Sequence, residues 1–131
     1  MRFIGIHDSK EQPTVVTPWS YMHVVSGVLL FAVISCAQPK AWGPVSTFVI
    51  ASLIHACYEA KDLYRSYGSQ TDTNNSWMNS LGDQACATVG MFLAFAMVGR
   101  VCSLRDCLYL TLLATTTFLV FKTNRTNVVW D

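Results

Sequence analysis

Three ionisable side chains in the middle of the chain have the spacing of one helix face. His55, Glu59 and Asp62 follow one another at intervals of four and three residues, so a helix aligns them on one side. Tyr58 and Arg65 flank this stripe. Imidazole and carboxylate groups can bind a metal ion, move a proton or hold a polar ligand. Because ionisable groups are costly at membrane depth, we expect the stripe to face a cavity or a partner.

Two further polar sets fall near the stripe. Asn79 and Asp83 are one helical turn apart near the start of a later apolar segment, with Gln84 beside them, and an acidic residue there interacts favourably with the helix dipole. An earlier segment carries His23 and, one turn on, Gly27, which permits close backbone approach. Helices that alternate in direction bring these sets to one membrane interface. The sequence therefore predicts an acid-rich pocket formed by His23, His55, Glu59, Asp62, Arg65, Asn79 and Asp83.

Three interpretations of this pocket remain open. In the structural one, Arg65 pairs with an aspartate and His23 bonds Glu59, which orients helices in lipid. In the second, the pocket binds a lipid headgroup, a cation or a small polar ligand. In the catalytic one, either histidine is the base, while Glu59, Asp62 and Asp83 hold a metal ion. The sequence lacks the paired histidines of zinc proteases and the serine turn of α/β-hydrolases. No metal is expected, and the cofactor is left unknown, with a bound lipid as a candidate.

Composition indicates a membrane protein. The 131 residues are enough for one domain, residues 1–131. They are 52% hydrophobic and 13% charged, whereas soluble domains carry about 25% charged residues. The net charge of +1 gives no strong field, which argues against a nucleic-acid partner.

Charge-free stretches define the predicted elements. A membrane-spanning helix needs roughly 17–25 mostly apolar residues. Ser76, or alternatively Asn75, is the expected N-cap of the third helix, and Ser103 with Asp106 is expected to form a partial capping box before the fourth. Three glycines, Gly82, Gly90 and Gly99, are expected to be helix-packing positions. The chain is therefore predicted to be an all-α bundle of four transmembrane helices with short loops, spanning residues 19–37, 45–65, 76–99 and 104–121.

The basic residues suggest an orientation for this bundle. Four spans place both termini on one side of the membrane. Six basic residues fall on that side and three on the other. Since basic residues are enriched on the cytoplasmic side, we expect the termini in the cytoplasm, or in the matrix or stroma of an organelle.

One motif combines a glutamate near a span end with a polar loop and an aspartate that opens the next span. Glu59, Asp83 and Gly90 have this arrangement. It resembles the VanZ-like family, whose next span opens with Asp-x-x-x-Asn-x-x-Gly. Ala87 stands in place of that asparagine. The resemblance implies a small multi-span protein and a link to glycopeptide (teicoplanin) resistance, but no settled reaction.

A second set of motifs extends over residues 19–95. It consists of His23 with Gly27, then Glu59-x-x-Asp62, then the run Asn-Ser-Trp-Met-Asn-Ser-Leu-Gly-Asp at 75–83. This set is similar to a family of uncharacterised inner-membrane proteins of alphaproteobacteria, and it is the closer of the two resemblances. Asn75 and Asp62 replace an aspartate and a glutamate of that family's pattern. The resemblance implies that the pocket is a shared feature, without assigning a reaction.

These observations lead to two hypotheses of function. The first is a non-catalytic structural subunit of a larger membrane assembly, because the chain is small and has short loops. Its partners would be membrane lipids and other membrane subunits. The alternative is a stand-alone protein that binds a lipid or small ligand, or a lipid-processing enzyme, using the acid-rich pocket.

Overall fold

The computed structural model describes residues 1–5, 13–39, 41–68, 76–99 and 102–127, with the side chains of 124–127 excepted. The described residues form four helices, as predicted. They are preceded by two short strands, which the all-α prediction did not include. The elements in chain order are β1 (Arg2–Ile4), β2 (Thr14–Val16), α1 (Ser20–Ala37), α2 (Pro44–Gly68), α3 (Trp77–Val98) and α4 (Leu104–Asn127).

The strands form a small parallel pair before the first helix. Arg2 is opposite Thr14, and Ile4 is opposite Val16. Strand β2 also packs against α3, where a Cβ at Gly82 would overlap the carbonyl oxygen of Val15. The N-terminal segment therefore covers the end of the bundle where α1 and α3 begin.

The predicted helix starts are confirmed by their caps. The Ser76 hydroxyl accepts a hydrogen bond from the backbone N–H of Asn79 at 3.2 Å. Asp106 accepts from the backbone N–H of Ser103 at 2.9 Å, and Ser103 Oγ accepts in return from the Asp106 N–H at 3.3 Å. Helices α2 and α4 extend beyond their predicted ends at 65 and 121. The first end was set by the polar residues from Ser66 on and the second by the polar tail from Lys122 on, and such residues limit membrane crossing but do not by themselves stop a helix.

Three helices in the described residues are long and apolar enough to cross a membrane. They are α1, α3 and residues 104–123 of α4, by length and composition alone. The span predicted for residues 45–65 does not meet this criterion. Its second half carries Glu59, Lys61, Asp62 and Arg65, which offset its apolar first half. The integral membrane class is therefore supported, and the four-span count is not.

Helices α1 and α3 touch through their backbones. A Cβ at Gly27 would overlap the carbonyl oxygen of Ala87, and a Cβ at Gly90 would overlap that of Val24. Small residues permit such close approach, which is the usual way that helices associate in lipid. The packing roles predicted for Gly27 and Gly90 are confirmed. The α1–α3 contact is also the most extensive in the fold.

The packing role predicted for Gly99 is wrong. No described atom lies within 4 Å of a Cβ built at this residue. Gly99 has φ 68° and follows the last turn of α3, where its N–H bonds the carbonyl of Phe95 at 2.6 Å. Glycine adopts this left-handed conformation at little cost, so Gly99 ends the helix.

The apolar core lies between α1, α2 and α3, away from the strands. Phe31 and Met91 are fully buried, and the rings of Phe48 and Phe95 pack around Phe31 with centroids 5.1 Å and 6.0 Å from it. Helix α4 contributes few buried side chains, of which Leu110 is the largest. The other end of the bundle is polar inside.

Candidate functional site

Five of the seven residues predicted for the acid-rich pocket lie together at one end of the bundle. The starts of α1 and α3 and the second half of α2 meet there. The five residues form what we call the buried cluster. They are His23 on α1, His55 and Glu59 on α2, and Asn79 and Asp83 on α3. All but His23 are at least nine-tenths buried, and His23 is half-buried.

Asp62 and Arg65 lie outside the buried cluster. The Asp62 side chain is one-third exposed and pairs with Lys61 across 3.4 Å, and Arg65 is exposed. A step of three residues from Glu59 turns the helix about 60° short of a full circle, which carries Asp62 off the buried face. The stripe is thus split, with His55 and Glu59 facing inward and the later residues facing outward.

Two histidines connect the three helices. His23 Nδ1 lies 3.0 Å from His55 Nε2, within hydrogen-bonding distance. The other nitrogen of His55, Nδ1, lies 2.9 Å from the amide oxygen of Gln84 on α3. The two rings are nearly perpendicular, at 84°. His55 thus contacts a neighbouring helix through each of its ring nitrogens, which fixes the orientation of its ring.

Glu59 lies beside this histidine pair. Its Oε1 atom is 3.1 Å from His23 Nδ1 and 3.8 Å from His55 Nε2. His23 Nδ1 is aligned with His55, however, and Oε1 accepts no hydrogen bond from any described residue. The Ser80 hydroxyl is within hydrogen-bonding reach of the same carboxyl group. A buried carboxylate oxygen with no donor is an uncommon and unfavourable arrangement.

Asp83 occupies the opposite side of His23. Its carboxylate accepts hydrogen bonds from the hydroxyl of Ser20 and from the Asn79 amide, the latter at 2.7 Å. It also lies 3.4 Å from His23 Nε2. Ser20 in turn accepts from the backbone N–H of Thr17 at 3.0 Å. Asp83 is thus held by its neighbours and positions the His23 ring.

The residues that could ligate a metal differ from the predicted set. His23, His55 and Glu59 each offer one ligand atom, and these three atoms lie within 4.8 Å of one another. The catalytic interpretation instead assigned Glu59, Asp62 and Asp83. Asp62 faces outward, and the Asp83 oxygens already accept hydrogen bonds. The structure brings together two imidazoles and one carboxylate.

A groove runs from the buried cluster along the outside of α1. It has a volume of about 580 Å³ and is lined by residues of α1, α2 and α4. His23 and His55 form part of its wall, and apolar side chains such as Leu29, Ile54 and Phe118 form most of the rest. Its α1 wall extends from Trp19 to Val33, which is about 21 Å of helix.

Sequence reasoning missed Ser20 and the groove. Ser20 lies three residues before His23 on the same helix face, and this spacing was the available signal. The lining positions 22, 26, 29 and 33 also have helical spacing. Apolar residues occur all around helix α1, however, so no contrast distinguished this face from the others.

No known protein family, no characterised protein and no solved structure matches the chain. The resemblances to VanZ-like and alphaproteobacterial membrane proteins therefore stay predictions. The geometry of the buried cluster and its groove is what remains to indicate a function.

Proposed function

We propose that the chain is an integral membrane protein that binds one amphipathic lipid. The hydrocarbon chain lies in the groove, and the polar head lies against the buried cluster. The observation that carries this proposal is the continuity of the two features. His23 and His55 belong both to the groove wall and to the cluster.

The dimensions of the groove support this proposal. Ligand sites in proteins have volumes of about 300–1,000 Å³, are mostly apolar and hold a few polar groups that fix orientation. The groove has about 580 Å³ and two histidines at its wall. Two of the helices that line it, α1 and α4, are apolar enough to span a membrane. A lipid chain would therefore enter sideways from the bilayer without passing through water.

This proposal includes a membrane arrangement for α2. That helix packs against both α1 and α3, with contacts that extend from Phe48 to Glu59. We place α2 across the membrane with the other three helices, with its charged end at the interface. Both termini are then on one side, which the basic residues assign to the cytoplasm, matrix or stroma.

Filling the groove tests lipid binding. Ile54 lines the groove, whereas its neighbour Leu53 lies outside the lining and is 61% exposed. The variants Ile54→Trp and Leu53→Trp add the same bulk at adjacent positions. We expect Ile54→Trp to weaken binding of a fluorescent long-chain fatty acid at least tenfold and to lose lipid that co-purifies in native mass spectrometry. Leu53→Trp should behave as wild type. Equal lipid binding by both variants would contradict the proposal.

The second candidate function is a structural subunit of a larger membrane assembly. Helix α4 favours it, because Leu108, Leu112 and Leu119 are each more than half exposed. Such a surface can face lipid or another subunit. The native mass of the protein, extracted from its own membrane in mild detergent, shows whether this surface is covered by lipid or by another subunit. A large particle with this chain at fixed stoichiometry supports the subunit function, and a monomer or homodimer excludes it.

A further inference from the structure

The hydrogen bonds around the two histidines indicate where their protons lie. His55 Nδ1 faces the amide oxygen of Gln84, which only accepts, so this nitrogen carries the proton and Nε2 has a lone pair. His23 Nε2 faces the Asp83 carboxylate at 3.4 Å, which favours a proton there and leaves a lone pair on Nδ1. With the protons assigned in this way, the two lone pairs face each other across 3.0 Å.

Glu59 adds a third electron-pair donor to the same space. Its Oε1 atom is 3.1 Å and 3.8 Å from the two lone-pair nitrogens. A proton on His23 Nδ1 can join the two histidines, but it leaves Oε1 without a hydrogen bond from any described residue. A metal ion between the three atoms provides a partner for all of them.

The distances fit a first-row transition metal. Tetrahedral Zn²⁺ with ligand bonds of about 2.0–2.1 Å separates its ligand atoms by about 3.3 Å. The three distances here, 3.0, 3.1 and 3.8 Å, lie on either side of that value. Two histidines and a glutamate form one of the known donor sets of zinc sites with an open position. Ca²⁺ and Mg²⁺ prefer oxygen donors throughout, so two imidazoles disfavour them.

The outer partners also fit a metal site. Histidine ligands almost always donate their second N–H to a carboxylate or a carbonyl oxygen. Asp83 is placed for this role toward His23, and Gln84 toward His55. Asp83 is itself fixed by Ser20 and Asn79. Such outer contacts hold the ligands in place before the ion arrives.

We propose that His23 Nδ1, His55 Nε2 and Glu59 Oε1 bind one divalent transition-metal ion, with Zn²⁺ as the best match, inside the helix bundle. This inference goes beyond lipid binding and does not depend on it. The two histidines also line the groove, so the ion would lie next to the head of a lipid bound there.

The test uses the metal alone, on the full chain in mild detergent. The protein is stripped with a chelator and desalted, and Zn²⁺, Co²⁺ or Mg²⁺ is then added. We expect one Zn²⁺ or Co²⁺ per chain by elemental mass spectrometry, a Co²⁺ absorption spectrum typical of nitrogen and oxygen ligands, and no retained Mg²⁺. Zn²⁺ should raise the Tm of the wild type, and chelator should reverse the increase. A wild type that retains no Zn²⁺ or Co²⁺ and shows no Tm change overturns the proposal.

Variants assign the ion to the cluster. Glu59→Gln and His55→Gln should lose stoichiometric binding, whereas Asp62→Asn, on the same helix but facing outward, should keep it. Gln84→Leu removes the outer partner of His55 and should weaken binding about 10–100-fold. Gln84→Leu keeps all three proposed ligands, so it tests metal binding at the cluster even where a variant of a ligand residue fails to fold. Binding of wild-type affinity in Glu59→Gln or Gln84→Leu would overturn the assignment.

Discussion

Two of the apolar helices of this molecule, α1 and α4, use their side chains in opposite ways. In the α1 span 39% of residues are buried, whereas in the α4 span the share is 11%. Helix α1 meets its neighbours through a glycine contact and buried polar groups, while α4 presents leucines outward. Lipid tails are as apolar as leucine, so apolar content alone does not pull a helix into a bundle. In this fold small and polar residues share the interior with a few large apolar side chains, such as Phe31 and Met91, while most leucines of α4 face outward.

The largest effect is expected where the two helix backbones touch. Gly90→Ala puts a methyl group into the Val24 carbonyl, which only a backbone shift relieves, so we expect a loss of about 3 kcal/mol or more in the free energy of unfolding. Thermal unfolding in detergent, with gel filtration to measure the folded fraction, checks this. Gly43→Ala is the matched control, since no described atom lies within 4 Å of its added Cβ. Equal stability of the two variants would show that the helices do not cross at this point.

A smaller effect is expected for the buried side chain of α4. Leu110 is 2% exposed, and Leu110→Ala removes buried methyl groups and leaves a cavity, at a cost of about 2–4 kcal/mol. The same unfolding measurement applies. Leu112→Ala, on the 65% exposed side chain two residues on, is the control within the same helix. A cost for Leu110→Ala no larger than that of its control would contradict the described packing of α4.

Asp83→Asn tests the polar end of the bundle. The substitution replaces one hydrogen-bond acceptor by a donor that faces the Ser20 hydroxyl or the Asn79 amide, so we expect a loss of about 1–3 kcal/mol. Chemical unfolding in detergent measures it. Asp62→Asn, at an exposed ion pair, should change the stability by less than about 1 kcal/mol. An equal loss in both variants would mean that burial does not distinguish the two aspartates.

The smallest effect is expected on the outward face of α4. Leu108→Ala should change the stability of the isolated protein by no more than about 0.5 kcal/mol, because the side chain is 63% exposed. The measurement is thermal unfolding, together with the native mass in mild detergent. A normal Tm with a reduced native mass would assign this face to a partner subunit. A lowered Tm would mean that the face is covered within the chain.

The sequence predicted the buried cluster better than its surroundings. His55 and Glu59 were placed together by their spacing of four, which holds in any α-helix. Asp62 was assigned to the same pocket because residue spacing shows which side chains are neighbours on a helix. Spacing does not show how the helix is rotated about its axis, and this rotation decides which of the neighbours face inward. The orphaned Glu59 oxygen depends on ring orientations and so has no signature in the sequence.

Other features escaped prediction for physical reasons of their own. The strands at Arg2–Ile4 and Thr14–Val16 are three residues each, too short for an alternating pattern to appear. Gly90 and Gly99 look alike in sequence, yet one packs a helix and the other ends it. The groove depends on which faces of α1, α2 and α4 remain apart, and this is a property of the assembled bundle.

The contact between Gly27 and Ala87 has a mechanical consequence for the site. Together with the contact between Val24 and Gly90, it holds α1 against α3 over about one helical turn, and a tilt of α1 with Gly27 as the pivot moves each residue in proportion to its distance from that pivot. His23 is four residues, about 6 Å, from the pivot on α1, whereas Ala37 is ten residues, about 15 Å, from it on the other side. The same tilt therefore displaces the far end of α1 about 2.5 times as much as His23.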